Sequence, residues 1–175
     1  MTGVLQAESR PAGVVLAEKT QEVVQAFVKK YDGGRYHYIC SGPLFNMAET
    51  TLNGVWVTAK TEETLQSGRQ KAVAFLQSYF QELQTNKYAV ASFEDHCKTL
   101  PNRFSGPFTL KNIGLRIDYW TAEVERPKSP CLAQIKFYEN SFRYYEADPK
   151  TLKLKLVLEE SYEKALSQLT PTLPE

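Results

Sequence analysis

The stretch IGLRIDYW, residues 113–120, decides the fold, because apolar and polar side chains alternate along it in twos. Successive side chains of a pleated strand leave opposite faces. Ile113, Leu115, Ile117 and Tyr119 therefore point one way, and Arg116, Asp118 and Trp120 the other. The same alternation follows downstream. Cys131, Ala133, Ile135 and Phe137 alternate with Gln134, Lys136 and Tyr138; Phe142 and Tyr144 with Arg143 and Tyr145; and Leu152, Leu154, Leu156 and Leu158 with Lys153, Lys155 and Val157. Asn140-Ser141 and Asp148-Pro149 supply turns between these runs. Four strands in series, each with one apolar side, predict an antiparallel meander with one buried and one wet face.

Working back from residue 113, Arg103 to Asn112 reads as a loop or ragged edge strand. Ser92 and Asp95 make a capping-box-like pair that opens a brief helix to about Leu100, after an extended piece at Tyr88 to Ala91. Leu65, Ala72, Val73, Leu76, Tyr79, Phe80 and Leu83 form an apolar stripe at helical spacing, which predicts a long helix from an N-cap at Thr61 to about Gln84. Gly68 inside it costs on the order of 1 kcal/mol relative to alanine, a sign that something packs closely there. Arg35 to Ser41 and Thr50 to Lys60 are rich in β-branched and aromatic residues and read as two strands. Leu16 to Tyr31 reads as an amphipathic first helix, stopped at Asp32-Gly33-Gly34. Glu159 to Leu169 reads as the last helix.

The order is helix, two strands, long helix, short helix, four strands, helix. Such a chain is α+β: an antiparallel meander sheet of about five or six strands, with a long helix and shorter helices packed on one face. One domain over 14–170 is expected, with a disordered tail at 1–13 and a loose end at 171–175. A chain of 175 residues suffices for such a core without a disulfide or metal staple. Apolar residues are 42% and charged ones 23%, the balance of a globular protein, and no apolar run approaches the roughly 20 residues of a membrane-spanning helix. Cys40, Cys97 and Cys131 are odd in number and widely spaced, which argues against a disulfide framework and suits a cytoplasmic setting.

Motifs for catalysis are missing: there is no P-loop, dinucleotide fingerprint, G-x-S-x-G or HExxH, and no cofactor or metal is expected. His37 and Cys40 lie three apart on a strand, so they face opposite sides unless a bulge intervenes. His96 and Cys97 diverge by about 100° on a helix. Asp118, Glu123 and Glu125 cluster at a strand end, where carboxylates are usually solvated. An enzyme using one of these groups, in a pocket between sheet and helices, is the competing reading.

What stands out is the wet side of the meander. Arg116, Trp120, Lys136, Tyr138, Arg143, Tyr145 and Lys153, which make the expected contact patch, all fall on it together with Lys155. Asp118 is the one clear acid among them, and in a chain of net charge +1 this concentrates cations and aromatic area on one surface. Trp, Tyr and Arg are the residue types that anchor protein interfaces. The expectation is a non-catalytic module for a protein partner, acidic in character, or a small ligand, with a homo-oligomer as one form of partner. Single-stranded nucleic acid is the weaker alternative, since the chain lacks both overall basic charge and an RNA-binding motif.

Overall fold

The computed structural model describes residues 11–42 and 52–169. The expected loose end at 171–175 and nearly all of the expected tail lie outside them. The elements run α1 (Ala12–Lys30), β1 (Tyr36–Gly42), β2 (Asn53–Lys60), α2 (Leu65–Thr85), α3 (Lys87–Thr99), β3 (Ile113–Trp120), β4 (Leu132–Tyr138), β5 (Ser141–Ala147), β6 (Leu154–Ser161) and α4 (Tyr162–Ser167). The six strands form one sheet in sequence order, so the protein is α+β and β3 to β6 are the expected meander. Among these strands β2 and β3 pair parallel, and they are the two that the α2 and α3 crossover separates.

One face of the sheet is covered by helices. Val55, Val57, Ala59, Ile113, Leu115, Ile117, Tyr119, Ile135, Phe137, Phe142 and Tyr144 are all buried there, in one cluster with Val24 and Val28 of α1 and Val73, Leu76 and Leu83 of α2. Phe75 of α2 sits edge-on to Tyr31 at 4.8 Å and Tyr36 at 5.2 Å, the tilted geometry that aromatic quadrupoles favour. The close approach foreseen at Gly68 is present: a Cβ there would lie 2.5 Å from Leu132 Cδ1 and 3.3 Å from Ile135 Cδ1.

Several boundaries differ from the sequence reading, each for a local reason. The second helix is capped by Thr64, in a reciprocal box with Ser67, and not by Thr61. Glu63 consequently precedes the helix. It is 2% exposed, accepts from Thr61 Oγ1 at 2.9 Å and pairs with Lys71. Asn86 Oδ1 accepts from the amides of Tyr88 and Ala89, so α3 starts at once where an extended piece was expected. Pairing with β5 carries β6 on to Ser161, whose hydroxyl caps the short α4.

Burial pushes the Glu63 carboxyl up, but hydrogen bonds from Lys71, Ser67 and Thr61 outweigh it and hold it below its ordinary value. A depressed carboxylate stabilises the fold fully above its unfolded pKa of about 4.3 and loses that contribution as pH falls through its folded value. Glu63→Gln should therefore melt below the wild type at neutral pH, and the gap should close on acidification. A gap that stays constant with pH would contradict this role.

Candidate functional site on the open sheet face

Residues directly opposed across a sheet share a face, so the register specifies what stands on the side that none of the described helices covers. One row crosses all six strands: Cys40, Trp56, Arg116, Lys136, Arg143, Glu159. The next row reads His37, Thr58, Asp118, Gln134, Tyr145, Leu156. Trp120 and Tyr138 flank these rows along β3 and β4. Of the seven residues expected to form a contact patch, the fold thus brings six together.

The seventh, Lys153, is a correction. It precedes β6 in the turn where its carbonyl accepts from the Asp148 amide. The expected alternation of Leu152, Leu154, Leu156 and Leu158 also fails, because a bulge between the pairings of Tyr144 and Tyr145 shifts the register of β6. Leu156 stands beside Tyr145 and Leu154 beside Ala147, on the open face, at 44% and 39% exposure. Lys155 opposes Glu146 on the other side.

Bulges correct two further readings. In β4 one falls between Leu132 and Gln134, so Leu132 takes the inward place expected of Cys131, which is half-buried just ahead of the strand. In β1 one falls between Tyr38 and Cys40, which puts His37 and Cys40 on the same face. Burial nevertheless pushes the Cys40 thiol up, against a smaller opposing pull from Arg116, which is the wrong direction for a nucleophile. All three cysteines are free thiols.

The polar groups of the face are interlocked. Asp118, 1% exposed, accepts from Trp56 Nε1 at 2.6 Å, Gln134 Nε2 at 2.6 Å, Arg116 Nε at 3.1 Å and Arg126 Nη1 at 3.3 Å. The guanidiniums stack on rings: Arg116 on Trp56 at 3.8 Å, Arg126 on Trp120 at 4.1 Å, Arg143 on Tyr138 at 4.0 Å. Arg143 also pairs with Glu159 at 2.7 Å. The centre of the row is less well served. Lys136 stands directly between Arg116 and Arg143, its ammonium makes no ion pair or hydrogen bond among the described residues, and it lies 5.5 Å from the Tyr145 ring centre. Burial first, then Arg116 and Arg143, push its ammonium below the ordinary lysine value despite Asp118. Arg143 Nη1 and Gln134 Oε1 are buried without a hydrogen-bond partner.

Trp56, Arg126 and Glu159 join the site beyond those expected. Trp56 was legible, since it alternates with Val55 and Val57; Arg126 sits in a loop with no periodic signal. Of the competing enzyme groups, His37 and Cys40 share a face, but Asp118, His96 and Cys97 do not come together. Asp118 is consumed in its network, while His96 is on the helix side, where Nδ1 bonds the Ser92 carbonyl at 2.7 Å, and Cys97 packs against the cluster of Leu52, Phe93 and Phe104. Among the described residues, no group of three His, Cys, Asp or Glu side chains is placed to hold a metal, and no helix is long and apolar enough to cross a membrane. Comparison with family models, curated proteins and solved structures finds no match.

Proposed function

We propose that this protein is a non-catalytic binding module whose open sheet face receives an acidic, amphipathic segment of a protein partner, in a reducing compartment such as the cytoplasm. The observation that carries this reading is the row Arg116, Lys136, Arg143. Like charges directly opposed across a sheet are destabilising, and local conflicts of this kind concentrate where a surface serves a ligand. A carboxylate over Lys136 would relieve the repulsion through a charge-assisted hydrogen bond to its ammonium. The exposed Leu154 and Leu156 offer apolar contact beside it.

Glu159, 44% exposed in its side chain at the end of the row, disfavours an unbroken run of phosphates along it, whereas an amphipathic peptide can set an apolar residue there. A second copy docked by the same face would set cations against cations, which disfavours self-association there. Both tryptophans of the chain, Trp56 and Trp120, stand on this face, so their emission reports its occupancy.

The test is a capped peptide of alternating glutamate and leucine, titrated against tryptophan emission. Lys136→Glu should abolish the response, while stabilising the fold by about 0.2–1 kcal/mol because the new carboxylate lies between two arginines. A variant that gains stability and loses binding separates function from architecture. Unchanged peptide affinity, or tighter and more salt-sensitive binding of oligo-dT, would overturn the reading.

A further inference from the structure

A second feature lies on the other side of the sheet. Between α1, α3 and the ends of β1 and β2 there is a cavity of about 380 Å³, within the roughly 300–1,000 Å³ of small-molecule pockets. Val14, Ala17 and Val24 of α1 and Tyr79 of α2 give it apolar walls. Asn53, at the start of β2, also lines it. This side chain is 5% exposed and its Nδ2 has no hydrogen-bond partner, while its backbone carbonyl is already taken by the Tyr79 hydroxyl at 3.2 Å. A buried amide N–H₂ left unpaired costs free energy that a bound acceptor would return.

We infer that this cavity is a binding site for a small, uncharged, mostly apolar ligand carrying one hydrogen-bond acceptor, such as a ketone, which accepts from Asn53 Nδ2. The charge follows from the lining. No lysine or arginine among the described lining residues would pair with an anion, and the one imidazole there, His96, already holds the Ser92 carbonyl through Nδ1. A cation brings donors, whereas the orphaned group is itself a donor. The site is independent of the open face, from which the sheet separates it.

The neutral naphthalene ketone Prodan serves as the probe, because its emission moves to the blue in apolar surroundings. Wild-type protein should give a blue-shifted signal that saturates at one equivalent. Ala17→Trp, an exposed position whose indole would fill the cavity, should abolish it with helical content unchanged. Asn53→Leu, similar in size but without the donor, should weaken binding about tenfold. Lys136→Glu should leave it as in the wild type. Absence of saturable binding, or binding that survives Ala17→Trp, overturns the site; full affinity in Asn53→Leu overturns the pairing with an acceptor.

Discussion

Asp118→Ala is expected to cost about 3–5 kcal/mol of folding stability, a drop in melting temperature of roughly 6–20 °C for a chain of this size. The carboxylate is 1% exposed and is the shared acceptor of Trp56, Gln134, Arg116 and Arg126. Its removal leaves two part-buried guanidiniums without a counter-ion and two buried donors without a partner. The reverse substitutions should be milder. Arg116→Ala or Arg126→Ala takes a cation whose side chain is 29% or 19% exposed, and Asp118 keeps its other donors in each case. Thermal melts of the three variants side by side decide the matter, and an Asp118→Ala no worse than either arginine variant would refute the network. The substitution should also shift tryptophan emission before any ligand is added, because Trp56 Nε1 donates to Asp118 and Arg116 stacks on the same indole.

The meander was legible because alternation in twos is a direct record of which side chains leave which face. Residues 113–120 behave as read: Ile113, Leu115, Ile117 and Tyr119 are fully buried under the helices, and Arg116 and Trp120 stay part-exposed. Even Asp118 faces the expected side, although the arginines around it bury it. What alternation cannot report is an inserted residue. Each of the bulges in β1, β4 and β5–β6 resets the parity beyond it, and no residue type marks them in the sequence. Leu154 and Leu156 are the clearest case: four alternating leucines look like core, yet one extra residue turns two of them onto the open face. Helix starts failed for a related reason. Thr61 and Thr64 are both competent caps, and only the pairing of β2 out to Lys60 and the burial of Glu63 select the second. The cation row was legible as a face but not as a row, since the opposition of Arg116, Lys136 and Arg143 depends on registers between strands that hydrophobic pattern leaves free.

Arg69→Met is the companion case on the helix side, expected to destabilise by about 3–5 kcal/mol. Glu160 on β6 is opposed to Phe142, so it faces the helices, and its side chain is fully buried. Arg69 of α2 reaches it with Nε at 2.7 Å and Nη2 at 3.3 Å, and its guanidinium lies 5.8 Å from the Tyr144 ring centre. Methionine retains much of the packed stem but leaves the carboxylate as an uncompensated charge in a low-dielectric site. Urea denaturation of the variant beside the wild type measures the loss. The double variant Arg69→Met/Glu160→Leu should recover most of the loss, because exchanging a buried ion pair for apolar groups of similar volume is often neutral or better. Since β6 is an edge strand held laterally by β5 alone, its amides should lose hydrogen-exchange protection first in Arg69→Met, ahead of β3 and β4. Protection lost uniformly across the sheet would show instead that the ion pair supports the whole core, and that β6 and its exposed leucines do not open separately from it.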